Sequence, residues 1–147
     1  MYKHIDFNKE FLLLPSVKIN QDLEEQFLNE IEIIDHKLIN YYKGLNLDDP
    51  SFYELTCEGL PIGYAKTFTQ NQYKILTEIF IIKNFRELGL GTFILNSIRT
   101  EVKKEKIPLR TVTLPSDRVA KNFYEASGVT ARLLLMEEKR DKPRFRS

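Results

Sequence analysis

The chain has 147 residues, 42% hydrophobic and 29% charged, with a net charge of +1, a globular balance that excludes disordered, collagen-like and coiled-coil architectures and general nucleic-acid binding. No apolar run approaches the about 20 residues that span a bilayer, and the opening Met1–Asp6 lacks the basic-then-apolar layout of a secretory signal. The lone Cys57 and the distant His4 and His36 supply neither a disulfide nor a zinc ligand set, so the expectation is a cytoplasmic protein with no metal and no membrane partner.

No repeat, low-complexity tract or linker interrupts the sequence, which reads as one domain over 1–147. Residues 3–19 predict a short strand followed by a loop through Pro15 and Ser16. Asn20 caps a helix, with Asp22, Glu24 and Glu25 in the first turn, where carboxylates complement the helix dipole. Leu23, Phe27, Ile31, Ile34, Leu38 and Tyr42 continue it as an apolar stripe to about Lys43, and Gly44 ends it.

A three-stranded meander follows. Its strands are predicted over 52–57, 62–69 and 73–82, with turns at 58–61 and 70–72. After a glycine-bearing turn, a helix is expected from about Gly89 to Lys106, with Phe93, Ile94, Ile98 and Val102 facing inward. Residues 109–114 alternate as a strand. Ser116 or Asp117 caps a helix that reaches about Ser127 and stops at Gly128. Residues 129–138 are expected to close the sheet, and 141–147 form a basic tail. The element order predicts an α/β (α+β) fold, a mixed sheet with helices on its faces.

Two constellations carry chemistry. In the first, Gly89 and Gly91 sit between a strand and a helix. There the amides of Gly89, Leu90, Gly91 and Thr92 point out of a helix start with the positive dipole end behind them, which suits phosphate or pyrophosphate. Arg86 can add a charged fork. A purely structural turn competes with that reading, because Arg-x-x-Gly-x-Gly alone is a short pattern. In the second, Ala120, Phe123, Tyr124 and Ser127 fall on adjoining turns of one helix. A tyrosine hydroxyl beside a ligand can donate a proton, and an aromatic on a packing face is the competing reading.

Together the two constellations resemble the acyl-CoA-binding motifs of the GCN5-related N-acetyltransferases (GNAT). Arg86-Glu87-Leu88-Gly89-Leu90-Gly91 is similar to the family's Gln/Arg-x-x-Gly-x-Gly/Ala loop. Glu78-Ile79-Phe80-Ile81 is similar to the strand before that loop. Ala120, Tyr124, Glu125 and Gly128 are similar to its later Asn-x-x-Ala-x-x-x-Tyr-Glu-x-x-Gly-Phe motif, with Asp117 in place of the usual Asn, Val129 in place of Phe, and Lys83 in place of a common Pro in the turn.

The resemblance, over roughly 52–138, implies a mostly antiparallel central sheet with helices on both faces. It also implies transfer of an acetyl group from acetyl-CoA, as cosubstrate, to a primary amine by direct attack. Acetyl-CoA would lie between the splayed strands 73–82 and 109–114. The backbone of Ile79, Phe80 and Ile81 would hold pantetheine, and Arg86, Glu87, Leu88, Gly89, Leu90, Gly91 and Thr92 the pyrophosphate. Asp117, Ala120 and Phe123 would line the cofactor. An amide near Ile81 would stabilise the oxyanion, Tyr124 would protonate the thiolate, and Glu78 would be the base, directly or through water. For Glu78 a surface strand carboxylate is the competing reading.

Charge is split along the chain. Residues 1–60 carry five basic and twelve acidic side chains, net −7, and residues 61–147 carry 17 and nine, net +8. The basic half suits an anionic cofactor. The acidic half, with Asp22, Glu24, Glu25, Glu30 and Glu32, suits a cationic small molecule or a protein amine. The open edge strands of such folds make a homodimer an expectation too. Cys57 reads as a small buried hydrophobe, and His36 as solvent-facing or substrate-side. Two other readings stand beside the enzyme: a non-catalytic acyl-CoA-binding regulatory or interaction domain, and an unrelated phosphate-binding module that shares only the glycine turn.

Overall fold

A computed structural model describes residues 1–36, 40, 50–114, 117–133, 136 and 138. Six strands form one sheet in sequential order: β1 (Tyr2–Asp6), β2 (Lys9–Ser16), β3 (Pro50–Cys57), β4 (Leu60–Gln70), β5 (Tyr73–Ile81) and β6 (Leu109–Thr111). The first five pair antiparallel. β6 pairs parallel with β5 after a crossover through the helix α2 (Leu90–Glu105), as parallel neighbours require. Helix α1 (Gln21–Asp35) precedes β3, and α3 (Arg118–Ala126) follows β6.

The N-terminal segment differs from the expected strand and loop. It is a complete hairpin, turning at Phe7 and Asn8 with φ of 53° and 57°. The turns at Glu58–Gly59 and Asn71–Gln72 also have both central residues at positive φ, the turn geometry whose twist matches that of the flanking strands. Pro15 lies within β2, paired with Tyr53. It falls beyond the last β1 partner, Leu13, where β2 has a neighbour on one side only and a missing N–H costs little.

Helices cover both faces. On one, Ile94, Leu95, Ile98 and Val102 of α2 and Tyr124 of α3 pack on Phe11, Leu13, Leu55, Ala65 and Leu76 of the sheet. On the other, Leu23, Phe27 and Ile31 of α1 pack on Tyr64 and Phe80. Phe27 meets both of those rings edge-on, with centroids 6.2 Å away. Asn20 caps α1 through its side chain, which accepts from the Leu23 amide. The predicted stripe holds through Ile31, whereas Ile34 is 41% exposed. Leu38 and Tyr42 lie outside the described residues.

Two expectations at the C-terminal end need correction. The strand expected over 109–114 ends at Thr111. The closing strand expected over 129–138 is not formed by the described residues 129–133, 136 and 138. Leu133 and Met136 of that stretch are exposed, and a three-residue β6 presents little ladder for a further strand to join.

Candidate functional site

The glycine turn begins with the short 3-10 helix Lys83–Phe85. Arg86 is extended, Glu87 takes a φ of 64°, and Gly89 is the N-cap of α2 at φ 77°. The first intrahelical bond runs from the Phe93 amide to the Gly89 carbonyl, 3.1 Å, which leaves the amides of Gly89, Leu90, Gly91 and Thr92 without acceptors in the helix. Among the described residues no side chain caps them. Leu88 and Leu90 anchor the turn in the core below α2, while Glu87, Gly89 and Thr92 are exposed.

The two glycines serve different ends. A Cβ on Gly89 would meet nothing within 4 Å, whereas one on Gly91 would lie 3.3 Å from two atoms of the Phe123 ring. Gly89 supplies the left-handed conformation and an open approach to the amides. Gly91 lets α3 pack against the first turn of α2.

Directly before this turn, β5 parts from β6. The two strands pair only at Lys74, Ile75 and Leu76, with a last bond from the Val112 amide to the Leu76 carbonyl, 3.1 Å. Next to it β5 carries a bulge: Leu76 faces Thr67, but Glu78 faces Lys66, so Thr77 is the extra residue. A bulge bends its strand, and here the bend coincides with the parting. The Ile82 amide bonds to the Ile62 carbonyl on β4. By alternation the amides and carbonyls of Ile79 and Ile81 face away from β4, into the gap beyond β6. Gly63 permits the close strand pair on the other side, since a Cβ there would stand 2.4 Å from the Phe80 carbonyl oxygen.

The bulge also sets the face of Glu78. Alternation from Leu76 would turn Glu78 toward α2, but the extra residue turns it toward α1. Its carboxylate is 4% exposed and accepts a 2.8 Å hydrogen bond at Oε2 from the Tyr64 hydroxyl, which corrects the surface reading. Burial raises its pKa above the usual carboxylate value, against lowering contributions from the Tyr64 hydrogen bond and the Lys66 charge. Burial and the adjoining carboxylate push the Tyr64 phenol strongly upward, so Tyr64 acts as the donor.

Tyr124 is buried in the core shared by α2, α3 and the sheet, its ring 5.3 Å from that of Phe123. Ala120 and Phe123 pack against the same core. Asp117 caps α3, its Oδ1 accepting from the Ala120 amide at 3.1 Å. The Arg86 guanidinium is engaged on the α1 side. Its Nε donates to the Ile81 carbonyl at 2.7 Å, and Nη2 donates to both carboxylate oxygens of Glu30 at 2.9 and 2.6 Å.

Ile79, Ile81, the turn and the α2 amides thus form one continuous stretch. Asp117, Ala120, Phe123 and Tyr124 share α3, whose Phe123 touches the turn. Phe80 points to the α1 core, and by the same alternation its amide and carbonyl face Tyr64 on β4, so the expectation that its backbone lines the gap is corrected. The sequence reading missed Tyr64, Lys66 and the Arg86–Glu30 pair. Strand pairing could have signalled the first two, but counting back from the turn at Asn71–Gln72 places Ala65 opposite Glu78, and only the bulge moves that partner to Lys66.

Comparison with known proteins gives a family match and structural likenesses. Residues 22–133 match the family model described as an acetyltransferase (GNAT) domain. The aminoglycoside N-acetyltransferase AAC(6')-Iy in complex with CoA superposes with a TM-score of 0.58 at 15% identity, covering 96% of this chain and 98% of that one. A variant of the BH1408 protein from Bacillus halodurans gives a TM-score of 0.72 at 11% identity, over 87% and 98%. The aminoglycoside acetyltransferase meta-AAC0020 from an uncultured soil metagenomic sample, in complex with trehalose, gives 0.60 at 12% identity, over 90% and 97%. No curated protein sequence matches significantly.

Proposed function

Since the chain belongs to the acetyltransferase (GNAT) family, we propose that this acyltransferase moves the acetyl group of acetyl-CoA to a primary amine by direct attack on the thioester. The observation that carries this reading is the gap between β5 and β6, which opens directly before a glycine turn with free amides. Pantetheine would pair with the Ile79 backbone as a further strand does, the Ile81 carbonyl being held by Arg86, and the pyrophosphate would lie on the amides of Gly89 to Thr92. CoA is present in the AAC(6')-Iy structure, which supports acetyl-CoA as the cosubstrate here. The lone Cys57, free and buried, suits a reducing cytoplasm, and no described helix is long and apolar enough to cross a membrane.

In the step proposed, the amine nitrogen bonds to the thioester carbonyl carbon as the carbon–sulfur bond breaks. The amine proton goes to Glu78, directly or through water, and the departing thiolate takes a proton from Tyr124. The Ile81 amide, turned into the gap, would hold the developing oxyanion. An attacking amine must be neutral, so Glu78 has to be ionised, a form that the Tyr64 hydrogen bond and the Lys66 charge favour against the larger, opposing influence of burial. The burial of Tyr124 favours the alternative, a non-catalytic acyl-CoA-binding domain in which this ring only packs.

Calorimetry with acetyl-CoA on the wild type and on Gly89→Glu tests the cofactor site. We expect binding by the wild type and its loss in the variant, whose carboxylate would face the pyrophosphate. A folded wild type that binds no acetyl-CoA would end the enzyme assignment. Binding without thiol release across an amine panel would leave the non-catalytic reading.

A further inference from the structure

A cavity of ≈ 650 Å³ lies between the start of α1 and the sheet, lined among others by Lys18, Asp22, Glu24, Phe52 and Lys66. Its floor follows from strand register. Ser16, Phe52, Lys66 and Glu78 stand opposite one another across β2, β3, β4 and β5, forming one row on the α1 face. Lys66 reaches into the cavity from the same row that carries Glu78, beside Tyr64. Lys66 thus links the cavity to Glu78, the buried carboxylate proposed as base, which stands opposite it on β5.

Lys18 and Lys66 oppose Asp22 and Glu24, and among the described residues none of the four forms an ion pair. Glu30, which belongs to the same acidic stretch of sequence, is committed to Arg86 instead. Glu78 stands opposite Lys66 and feels its charge, so an amine drawn to Glu78 leaves Lys66 in need of an anion. A purely cationic solute would meet two ammonium groups here, and a purely anionic one two carboxylates. A solute bearing one charge of each sign satisfies both pairs.

From this arrangement, and resting on the acetyl-transfer reading above, we propose that the acceptor is zwitterionic: a small molecule with a primary amine and an anionic group, carboxylate or phosphate. The amine lies toward Glu24 and Glu78, and the anionic group lies on Lys66 and Lys18. This narrows the acceptor away from polyamine-like cations. It makes Lys66 a determinant of specificity, because its position opposite Glu78 fixes the spacing between the two ends of the acceptor.

The test uses two matched pairs of probes, lysine with cadaverine and phosphoethanolamine with ethanolamine, each pair differing by the anionic group. Calorimetric binding to the full chain is the first readout, because it does not depend on turnover, and kcat/KM with acetyl-CoA is the second. We expect one anionic member to bind and be acetylated at least about tenfold better than its partner, the scale of one charged hydrogen bond. Which pair shows the preference tells carboxylate from phosphate.

Lys66→Met keeps the aliphatic stem and should erase that preference. Lys18→Ala, at an exposed residue outside the strands, should reduce it and keeps the test open if Lys66→Met does not fold. Equal or better binding of cadaverine and ethanolamine, binding of neither anionic probe, or a preference that survives both substitutions overturns the proposal. A chain that binds no acetyl-CoA and releases no thiol overturns the transferase reading instead, while amine binding still decides this one.

Discussion

The Tyr64 hydroxyl donates a 2.8 Å hydrogen bond to Glu78 Oε2 across adjacent strands, with both side chains buried. This contact lowers the Glu78 pKa, while burial, the larger influence, raises it. In the proposed role of base Glu78 acts only when ionised, so activity should fall as the pH drops through its pKa. In Tyr64→Phe the acid limb of the kcat/KM profile should move to higher pH, and a limb that stays in place would remove Glu78 from the role of base. Glu78→Gln should lower kcat by about 10²-fold or more.

The same raised pKa predicts how stability depends on pH. The folded state holds the Glu78 proton more tightly than the unfolded chain, whose carboxyl has the ordinary value of 4.5. That contribution is complete below the unfolded pKa and is lost as the pH rises through the folded one. Glu78→Gln should therefore have a higher Tm than the wild type at about pH 8, and the difference should shrink at about pH 4. Thermal melts across pH measure this directly.

Tyr124→Phe separates packing from proton transfer. The ring remains, so the core under α2 and α3 should survive at a cost of about 1 kcal/mol for one hydroxyl. If the hydroxyl protonates the thiolate, kcat should fall about 10²-fold or more with acetyl-CoA affinity unchanged. An unchanged kcat would return Tyr124 to a packing role.

Arg86 is shared between two possible partners. Its pairing with Glu30 is partly exposed, at 38% and 43% for the two side chains, so breaking it should cost less than about 1 kcal/mol of stability. Glu30→Gln frees the guanidinium for the nearby helix start. It should tighten acetyl-CoA binding, and Arg86→Ala should weaken it. Calorimetry on the two variants checks both directions, and equal affinities would confine Arg86 to holding α1 against the turn.

Gly91 and Gly63 should behave as packing glycines. Gly91→Val drives side-chain atoms into Phe123 and should cost about 1–3 kcal/mol, with part recovered in the double variant with Phe123→Leu. Gly63→Ala places a methyl against the Phe80 carbonyl. Because backbone cannot give way as a side-chain tip does, its cost should reach or exceed the upper end of the about 1–3 kcal/mol range for overpacking. Denaturant unfolding ranks the two.

The sequence by itself determined the parts that local chemistry specifies. Asn20 and Asp117 cap helices because a short polar side chain can accept from backbone amides three residues on. Gly89 marks the start of α2 because only glycine takes a left-handed φ there without strain. The meander and the inward faces of α2 and α3 were legible for the same reason, since apolar period and turn residues act over a few positions. The N-terminal hairpin was not legible. Neither Phe7 nor Asn8 is a glycine, and Pro15 reads as a strand breaker until β1 is known to stop short of it.

Only the tertiary structure decided the face of Glu78, the partner of Arg86 and the company kept by Lys66. One extra residue in β5 turns Glu78 from the α2 side to the α1 side and shifts its neighbour from Ala65 to Lys66. No local signal marks that bulge. Arg86 meets Glu30 across 56 positions of sequence, once α1 has docked on the sheet. Composition records such charges without their neighbours, and chain packing supplies the distances on which electrostatics depends.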